Sequence, residues 1–338
     1  MSDRVVAILG ATGVVGTQMR ECLEERDFPV GELVPLASAR SAGRRLPFRG
    51  GEVEVREATP EAFEGVDIVL GAVGDAQARE LLPEAVRRGA VCVDNSHAFR
   101  LRDDVPLVVP EINAADIADH PAGIIANPNC ATIIGLVPVW PLHQAAHVTR
   151  LIVSTYQAAS GSGKSGLDEL ERETRLVAAG EPVTGGFGPF PAQLEHNLFP
   201  QIGSFKDEAY TSEEWKLQNE GRKIMHLPEL RVNCTCVRVP VSRSHSESIT
   251  VEFERPLSPD EAREILVGTP GVKVVDDPAS LSYPMPIDTS DQDLVYVGRI
   301  RRDLSAPDGA SALVLFCAGD QIRKGAATNA VQIAEYLL

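Results

Sequence analysis

A short apolar run that leads directly into a glycine-rich turn limits what this chain can fold into. Residues 5–9 are continuously apolar, as expected of a parallel-sheet strand that is buried on both faces. The turn Gly10-Ala11-Thr12-Gly13-Val14-Val15-Gly16 follows at once, and residues 14–27 then place apolar side chains at helical spacing. This order is typical of a dinucleotide-binding unit, because the glycines let the backbone approach a pyrophosphate at the helix N-terminus. The spacing departs from the standard Gly-x-Gly-x-x-Gly, so the turn alone is moderately specific.

The same rhythm of strands and helices continues to residue 127. The predicted elements are buried strands at 33–37, 67–72, 90–93 and 124–126, and a helix at 75–88 that stops at Gly89. Pro83 lies inside that helix pattern and favours a kink or a later start. The alternation predicts an α/β fold class with a Rossmann-like domain on a mainly parallel sheet.

The segment after the second predicted strand indicates which dinucleotide is bound. An NAD enzyme usually has an acidic residue here for the ribose hydroxyls, whereas this chain has Ser38, Arg40 and Ser41. Two hydroxyls, several backbone amides and an arginine suit a 2′-phosphate, which a carboxylate would repel. The segment favours NADP, and the alternative is a solvated basic loop.

Beyond residue 130 the pattern changes to longer alternating strands with fewer helices. The predicted elements are a helix at 131–146 broken near Pro138 and Pro141, a strand at 148–159 ending in a flexible turn at 157–163, an irregular loop at 180–203, a helix at 211–225 and a strand at 232–241. Thr211 and Glu214 have the spacing of a capping box at the start of the second helix. This part of the chain is predicted to be an α+β domain.

Length, charge and cysteine usage exclude several classes of protein. At 338 residues the chain is long enough for two domains, and a formal charge of −16 opposes nonspecific binding to nucleic acid or anionic lipid. No stretch approaches the ~18 apolar residues of a membrane span and no secretory signal is visible, so we expect a cytoplasmic protein. The six cysteines form no Cys-x-x-Cys pair and no zinc-like cluster, which argues against a structural metal or a disulfide framework.

Cys130 is a candidate nucleophile. It lies in Asn127-Pro128-Asn129-Cys130-Ala131-Thr132, between the end of an apolar strand and the start of a helix pattern. Orphan backbone N–H groups and the positive end of the helix dipole meet at such a place, and they can lower a cysteine pKa to about 3.5–7.5. The alternative is a small buried hydrophobe, which describes most free cysteines.

Motifs along the whole chain resemble those of the aspartate-semialdehyde dehydrogenase family. They are Gly-x-Thr-Gly-x-Val-Gly at 10–16, Asn-Pro-Asn-Cys-x-Thr at 127–132, Gln157 before Ser-Gly-x-Gly, Asn219-Glu220-x-x-Lys223, Arg238 with His245 seven residues on, and Gly319-Asp320-x-x-Arg323-Lys324-Gly325-Ala326-Ala327. The resemblance implies an NADP-binding domain over 1–127, completed by the C-terminal helix region 319–338. It also implies a catalytic and dimerisation domain over 128–318, and a homodimer.

The family reaction is the reversible, phosphate-dependent oxidation of L-aspartate 4-semialdehyde to L-4-aspartyl phosphate, in lysine, threonine and methionine biosynthesis. The resemblance makes Cys130 the nucleophile that carries a thioester. It makes His245 the acceptor of the thiohemiacetal proton, with a pKa near neutrality, and Gln157 a neutral donor to the oxyanion. Taken alone, His245 would be a solvated or packing histidine and Gln157 an ordinary strand-end amide.

The resemblance also assigns the binding residues. For the substrate, Arg238 receives the α-carboxylate and Glu220 the α-ammonium group, while Arg100, Asn129 and Lys223 serve the phosphate. Without the resemblance, Glu220 and Lys223 would be read as a surface salt bridge. The cofactor contacts are Gly10, Thr12, Gly13, Val14 and Val15 at the pyrophosphate, Ser38, Arg40 and Ser41 at the 2′-phosphate, and Gly74, Ser160, Gly163 and Gln321 at the nicotinamide half. Many relatives carry Asn in place of Gln321.

Two other functions stay open at this point. N-acetyl-glutamyl-phosphate reductase shares the thioester chemistry, but it generally has Gly before the cysteine and Tyr after it, where this chain has Asn129 and Ala131. Its acylated substrate would also leave Glu220 without a cation to bind. The other candidate is a noncatalytic dinucleotide-binding relative, against which the joint presence of Cys130, Gln157 and His245 argues.

Overall fold

The computed structural model describes residues 4–307 and 310–338, and the chain divides into two compact units. One unit consists of Met1–Asn129 and Gly325–Leu338, and the other of Cys130–Lys324. The division falls after Asn129 and after Lys324, whereas the sequence placed it after residues 127 and 318. The last turn before the C-terminal helix therefore belongs to the second unit.

Short strands alternate with helices in the first unit, and the second unit has longer strands. The strands are β1 (Arg4–Leu9), β2 (Val30–Ala37), β3 (Arg45–Phe48), β4 (Gly51–Glu54), β5 (Arg56–Glu57), β6 (Ile68–Gly71), β7 (Val91–Asp94), β8 (Ile124–Ala126), β9 (Val148–Gln157), β10 (Arg231–Arg238), β11 (His245–Phe253), β12 (Val272–Val274), β13 (Val295–Arg302) and β14 (Ser311–Gly319). The helices are α1 (Val14–Glu25), α2 (Asp75–Arg87), α3 (Pro110–Asn113), α4 (Cys130–Ala146), α5 (Gly163–Ala178), α6 (Ser212–Ile224), α7 (Pro259–Val267), α8 (Pro286–Thr289) and α9 (Thr328–Glu335). None of the described helices combines the length and apolar character needed to cross a bilayer.

A six-stranded parallel sheet forms the middle of the first unit. Its strand order is β5-β2-β1-β6-β7-β8, and every pair of neighbours is parallel. The order reverses direction between β1 and β6, which is the switch point of a Rossmann-like domain. The predicted fold class is confirmed.

Helices on the sheet close the core of this unit. Met19 and Leu23 of α1 and Val331 of α9 are buried in one apolar cluster with Ile8 and Leu70 of the sheet. The C-terminal helix thus belongs to the first unit. α2 begins at Asp75 and continues through Pro83, so the predicted late start is wrong.

The second unit is built on a mixed sheet with the strand order β10-β9-β11-β14-β13-β12. The central pairs are antiparallel, and the two edge pairs are parallel. α4 packs on the middle of the sheet and is flanked by α6 and α7. Thr211 and Glu214 form the predicted capping box at the start of α6.

Two local predictions for the second unit were wrong, and one helix was missed. α4 continues through Pro138 and Pro141, both buried, because its packing on all sides outweighs a proline penalty of about 3 kcal/mol. β10 ends at Arg238 instead of continuing to residue 241. α5, which begins at the end of the glycine-rich turn, was not predicted.

The proline- and glycine-rich segment 180–203 has no helix or named strand, as predicted. A buried carboxylate on α5 holds it in place, because Oε2 of Glu173 accepts hydrogen bonds from the backbone N–H groups of Leu194 and Glu195 at 2.8 Å each.

Candidate active site

Cys130 is the first residue of α4, and it is partly exposed while the other five cysteines are buried. The first turn of α4 contains no acidic residue that would offset the positive end of the helix dipole. The position therefore favours negative charge on the sulfur. Cys234 and Cys236, by contrast, are buried 3.7 Å apart, and their mutual contact and burial raise the pKa of Cys234.

Gln157, Arg238 and His245 meet because three neighbouring strands end or begin at the same edge of the sheet. β10 runs parallel to β9, and the register pairs their last residues, Arg238 and Gln157. β11 runs antiparallel to β9 and begins at His245. Nε2 of Gln157 lies 3.4 Å from Nε2 of His245. Sheet register thus brings together three residues that are far apart in the sequence.

The peptide groups of Ala158 hold two of these side chains. Its N–H donates a hydrogen bond to Nδ1 of His245 at 3.0 Å, and its carbonyl oxygen accepts one from Nη1 of Arg238. Ala158 and His245 are both fully buried. No sequence motif identified Ala158, because only its backbone takes part.

Burial and charge decide the ionisation of His245. Burial, and then the neighbouring charge of Arg238, lower the pKa of His245 to about 3, while Glu213 acts in the opposite direction. The expected pKa near neutrality is therefore wrong, since a buried imidazole beside a guanidinium disfavours the charged form. Burial also lowers the pKa of Arg238, against the effects of Glu213 and Cys130. Arg238 is thus within electrostatic reach of the Cys130 sulfur.

Glu213 is a site residue that the sequence did not reveal. It lies in the first turn of α6 and is 8% exposed. Its Oε1 accepts a hydrogen bond from Nε2 of Gln157 at 3.2 Å, and its Oε2 pairs with Nζ of Lys216 at 2.7 Å. An acidic residue in a first turn is ordinary helix chemistry, so no local signal could have distinguished it.

The glycine-rich turn between β9 and α5 lies against the same residues. A Cβ atom at Gly161 would come within 2.8 Å of Nη1 of Arg238 and 3.1 Å of Cε1 of His245. Only glycine therefore lets the turn approach this closely. The turn continues to Gly163, whose φ of +69° is in the left-handed region.

Gln321 connects that turn to the residue before His245. Its Nε2 donates to Oγ of Ser160, and its Oε1 accepts from the backbone N–H of Ser244 at 2.8 Å. Ser244 has a φ of +71° and is fully buried. Gln321 thus supports a strained backbone position at the start of β11.

The residues assigned to substrate and phosphate belong to both units. In the second unit, Glu220 and Lys223 lie on α6, and Glu220 is buried on the helix face that carries Leu217 and Ile224. In the first unit, Arg100 is buried and donates to the carbonyl oxygens of Asn127 at 3.0 Å and Asn95 at 2.8 Å. Asn129, also buried, ends that part of the first unit.

The turn between β1 and α1 fits a dinucleotide pyrophosphate. A Cβ at Gly16 would come within 2.3 Å of the carbonyl oxygen of Gly10, and one at Gly10 would come within 2.4 Å of that of Ala72. Gly13 caps α1 without a side-chain hydrogen bond, and the first turn has no acidic residue. The N–H groups of Gly10, Ala11 and Gly13 donate to backbone carbonyl oxygens, while the start of α1 has no side-chain cap and can bind an anion. Thr12, Val14 and Val15, the other residues assigned here, are half-buried.

The segment after β2 is the one in which the sequence predicts a 2′-phosphate site. Ser38 and Arg40 are exposed and Ser41 is buried, in a short turn closed by a hydrogen bond from the N–H of Ser41 to the carbonyl oxygen of Ser38. Gly74 caps α2 without a side-chain hydrogen bond. The assigned cofactor residues are thus divided, because Ser160, Gly163 and Gln321 belong to the second unit.

Comparison with known proteins defines the class of protein. Residues 5–120 match the family described as semialdehyde dehydrogenase, NAD binding domain, and residues 139–324 match the one described as semialdehyde dehydrogenase, dimerisation domain. Together with the Rossmann-like unit and the cysteine at a helix start, these matches define a two-domain semialdehyde dehydrogenase that binds a nicotinamide dinucleotide.

Full-length relatives narrow the family. The aspartate-semialdehyde dehydrogenase of Bacillus subtilis is 45% identical over 338 residues, covering 98% of this chain and 96% of that protein, and that of Aquifex aeolicus is 48% identical over 335 residues, covering 98% and 97%. Aspartate semialdehyde dehydrogenase II from Vibrio cholerae, complexed with ASA, has a TM-score of 0.96 at 41% identity, covering 100% of this chain and 98% of that one. The enzyme from Candida albicans with NADP has a TM-score of 0.77 at 26% identity, covering 99% and 98%. The chain belongs to the aspartate-semialdehyde dehydrogenase family.

Proposed function

We propose that this protein interconverts L-aspartate 4-semialdehyde, phosphate and NADP⁺ with L-4-aspartyl phosphate and NADPH. The observation that carries the proposal is the arrangement of Gln157, Arg238 and His245, with Arg238 electrostatically coupled to Cys130, which starts a helix. A nucleophile, hydrogen-bonding side chains and a carboxylate-binding cation are the groups that the reaction needs.

Cys130 is proposed to form a thioester. Its thiolate adds to the aldehyde carbon and gives a thiohemiacetal, which is oxidised to a thioester that phosphate then cleaves to the acyl phosphate. The dinucleotide, when bound, supplies the hydride acceptor. Sulfur suits this role because a thioester stays activated toward phosphate, whereas an oxygen ester would support the exchange less well. The first turn of α4 and Arg238 both stabilise the thiolate that starts the reaction.

Two charged side chains of the second unit are proposed to recognise the amino acid. Arg238 is 4% exposed, and its guanidinium can bind the α-carboxylate through two parallel hydrogen bonds. Glu220 is proposed to bind the α-ammonium group. An acylated amino group carries no positive charge for this buried carboxylate to bind, and this favours aspartate semialdehyde over the N-acetyl-glutamate analogue.

For the phosphate we propose Lys223, Arg100 and Asn129. Arg100 has two of its donors committed to the carbonyl oxygens of Asn127 and Asn95, which hold its guanidinium in a single orientation. Such a held cation suits the recognition of a phosphate oxygen.

NADP is the proposed dinucleotide. No residue from 38 to 44 is acidic, and Ser38 and Arg40 are both exposed. The pyrophosphate is assigned to the turn from Gly10 to Val15, and the nicotinamide half to Gly74, Ser160, Gly163 and Gln321. A related protein from Candida albicans is described with NADP.

A homodimer is the proposed assembly. The helices α4, α6 and α7 cover one face of the mixed sheet, while residues on the other face remain partly exposed. Tyr156, Ser248 and Phe316 lie on that face. Tyr156 is 39% exposed, and its ring centroid lies 6.2 Å from that of Phe316 with the two rings tilted by 36°. This face can pack against its copy about a twofold axis. The match to a dimerisation domain covers these strands.

The function is tested by assaying the purified protein with aspartate semialdehyde, phosphate and NADP⁺, and in parallel with N-acetyl-glutamate semialdehyde. We expect NADPH formation with the first aldehyde and a much lower kcat/KM with the second. A preference for the acylated aldehyde would transfer the assignment to N-acetyl-glutamyl-phosphate reductase. No turnover of either aldehyde would favour a noncatalytic role.

The nucleophile is tested with Cys130→Ala, which should abolish turnover while NADPH binding is retained. Cys22→Ser is a matched control, because Cys22 is buried 3.5 Å from the hydroxyl of Thr328 and takes no part in the chemistry. We expect Cys22→Ser to retain activity. Full activity of Cys130→Ala would eliminate the thioester mechanism.

A further inference from the structure

Two side-chain nitrogens face each other at the ends of β9 and β11. Nε2 of Gln157 and Nε2 of His245 are 3.4 Å apart, and both side chains are buried. Which of the two nitrogens donates depends on the other hydrogen-bond partners of each side chain. Those partners are Ala158, Glu213 and Thr155.

The partner of Nδ1 determines the tautomer of His245. The backbone N–H of Ala158 donates to Nδ1 at 3.0 Å, so Nδ1 must present its lone pair. A neutral imidazole then carries its proton on Nε2. The charged groups that act on the imidazole are Arg238 on β10 and Glu213 on α6, and with burial they lower its pKa to about 3. The neutral form is present at physiological pH, and its Nε2 is a hydrogen-bond donor.

Glu213 and Thr155 determine the orientation of the Gln157 amide. Oε1 of Glu213 lies 3.2 Å from Nε2 of Gln157, and Oγ1 of Thr155 donates to Oε1 of Gln157 at 3.0 Å. A carboxylate can only accept, so the NH₂ group of the amide must face Glu213. The reversed amide would place its carbonyl oxygen against the carboxylate. One N–H of Gln157 thus bonds Glu213, and the second remains on the side of His245.

We propose that Gln157 and His245 form a two-donor oxyanion hole, and that Glu213 is the positioning residue that orients it. Two N–H groups cannot bond to each other, and at 3.4 Å both can reach one oxygen atom between them. The role of His245 changes with this assignment. It donates a hydrogen bond to the reacting oxygen and does not need to accept a proton.

The electron balance agrees with this role. When the thiolate adds, the C–S bond forms and the carbonyl π pair moves to oxygen, where the two N–H groups hold it. The same pair re-forms the C=O bond as the C–H bond breaks and hydride leaves for the bound dinucleotide. No proton is transferred in these two steps, so a histidine with a low pKa is sufficient.

The oxyanion hole depends on the proposed function, and wild-type turnover of aspartate semialdehyde tests that function separately.

His245→Gln and His245→Ala test the donor role. The amide N–H of glutamine lies near the position of Nε2, but an amide is not a base. We expect kcat of His245→Gln to exceed that of His245→Ala by about 10-fold or more. Equal loss in both variants, with wild-type thermal stability, would overturn the donor role. As a second measurement, the pH profile of single-turnover hydride transfer between pH 5 and 7 should have the same shape in the wild type and in His245→Gln, because Cys130 is present in both. An acidic limb that disappears in His245→Gln would also overturn the donor role.

Glu213→Ala, Glu213→Gln and Lys216→Ala test the positioning role. Glu213→Ala should lower kcat by about 10- to 100-fold with little change in KM, because the Gln157 amide loses its orienting acceptor. Glu213→Gln should restore most of kcat, since its carbonyl oxygen still accepts. Lys216→Ala is the matched control, because it removes the ion pair and leaves the carboxylate on Gln157.

A double variant separates positioning from a purely structural effect. If Glu213 acts through Gln157, adding Glu213→Ala to Gln157→Ala should cause no further loss of kcat. Multiplicative losses in the double variant, or wild-type kcat in Glu213→Ala, would contradict the positioning role. A loss in Lys216→Ala as large as that in Glu213→Ala would assign the effect to the ion pair instead.

Discussion

The carboxyl group of Glu247 lies against Gly135 where β11 packs on α4, so closely that a Cβ at Gly135 would come within 2.5 Å of Oε2. Glu247 is fully buried, and neither of its oxygens has a hydrogen-bond partner among the described residues. Burial, with a smaller contribution from Glu213, raises the pKa of Glu247 well above its usual range. Burial therefore favours the neutral acid at this side chain, which lies two residues along β11 from His245.

Glu247→Gln should make the stability of the protein less dependent on pH. The folded state binds the carboxyl proton more tightly than the unfolded state, so the stabilisation is complete below the unfolded pKa of 4.5 and is lost as pH rises toward the folded pKa. In that range the wild type loses up to about 1.4 kcal/mol of unfolding free energy per pH unit from this group. Glutamine cannot ionise, so Glu247→Gln does not show this loss of unfolding free energy with rising pH.

Urea unfolding of the wild type and Glu247→Gln at pH 5 and pH 8 measures this difference. The variant should gain stability relative to the wild type at the higher pH. Glu252→Gln, on the same strand but partly exposed and paired with Arg150, should not show this gain. Parallel pH curves for the wild type and Glu247→Gln would mean that the carboxyl does not titrate in this range.

Gly135→Ala should destabilise the protein by about 1–3 kcal/mol, because the new methyl group has no room beside Glu247. Gly221→Ala on α6 is the control, since its Cβ would meet its nearest neighbour at an ordinary 3.6 Å. There the gain in helix propensity should leave stability unchanged or raised by up to ~1 kcal/mol. Thermal unfolding measures the stability of both variants.

Combining Gly135→Ala with Glu247→Ala should recover part of the stability lost in Gly135→Ala, because the crowding carboxyl group is removed. Fully additive losses of stability in the double variant would contradict the contact between the new methyl group and Glu247.

Arg40→Ala should weaken NADPH binding by about 10- to 100-fold and leave NADH binding unchanged, because only NADPH has the 2′-phosphate. Fluorescence titration of both dinucleotides measures the effect. Arg45→Ala in the adjacent hairpin removes an exposed arginine paired with Glu52 and should leave the preference intact. Equal use of the two dinucleotides by the wild type would remove the argument for Arg40.

Tyr156→Asp should shift the protein from dimer to monomer, because it places a charge on the proposed contact face, where Tyr156 is 39% exposed. Sedimentation velocity at several concentrations measures the assembly. Tyr336→Asp, at a residue that is 60% exposed in the other unit, is the control and should sediment as the wild type does. A wild type that is monomeric at all concentrations would rule out the homodimer.

Local patterns predicted most of the first unit. The buried strands and the glycine-rich turn were found because a parallel sheet needs continuous apolar runs and a tight turn needs glycine, and both requirements act over a few neighbouring residues. The same local reasoning was wrong at Pro138 and Pro141, where tertiary packing of α4 overrides the preference of a proline. It missed α5 for lack of a strong start signal at Gly163.

The sequence by itself determined the class of fold and the nucleophile candidate, because these follow from periodicity and from motifs of neighbouring residues. Its resemblance to a known family implied the residues that recognise the substrate. Only the tertiary structure decided the state of His245 and the part played by Glu213. A pKa and the direction of a hydrogen bond depend on burial and on partners brought by other strands, as when Ala158 and Arg238 meet the imidazole. Those partners are distant from His245 in the sequence. Sheet register brings Ala158 and Arg238 to the imidazole, and α6 brings Glu213.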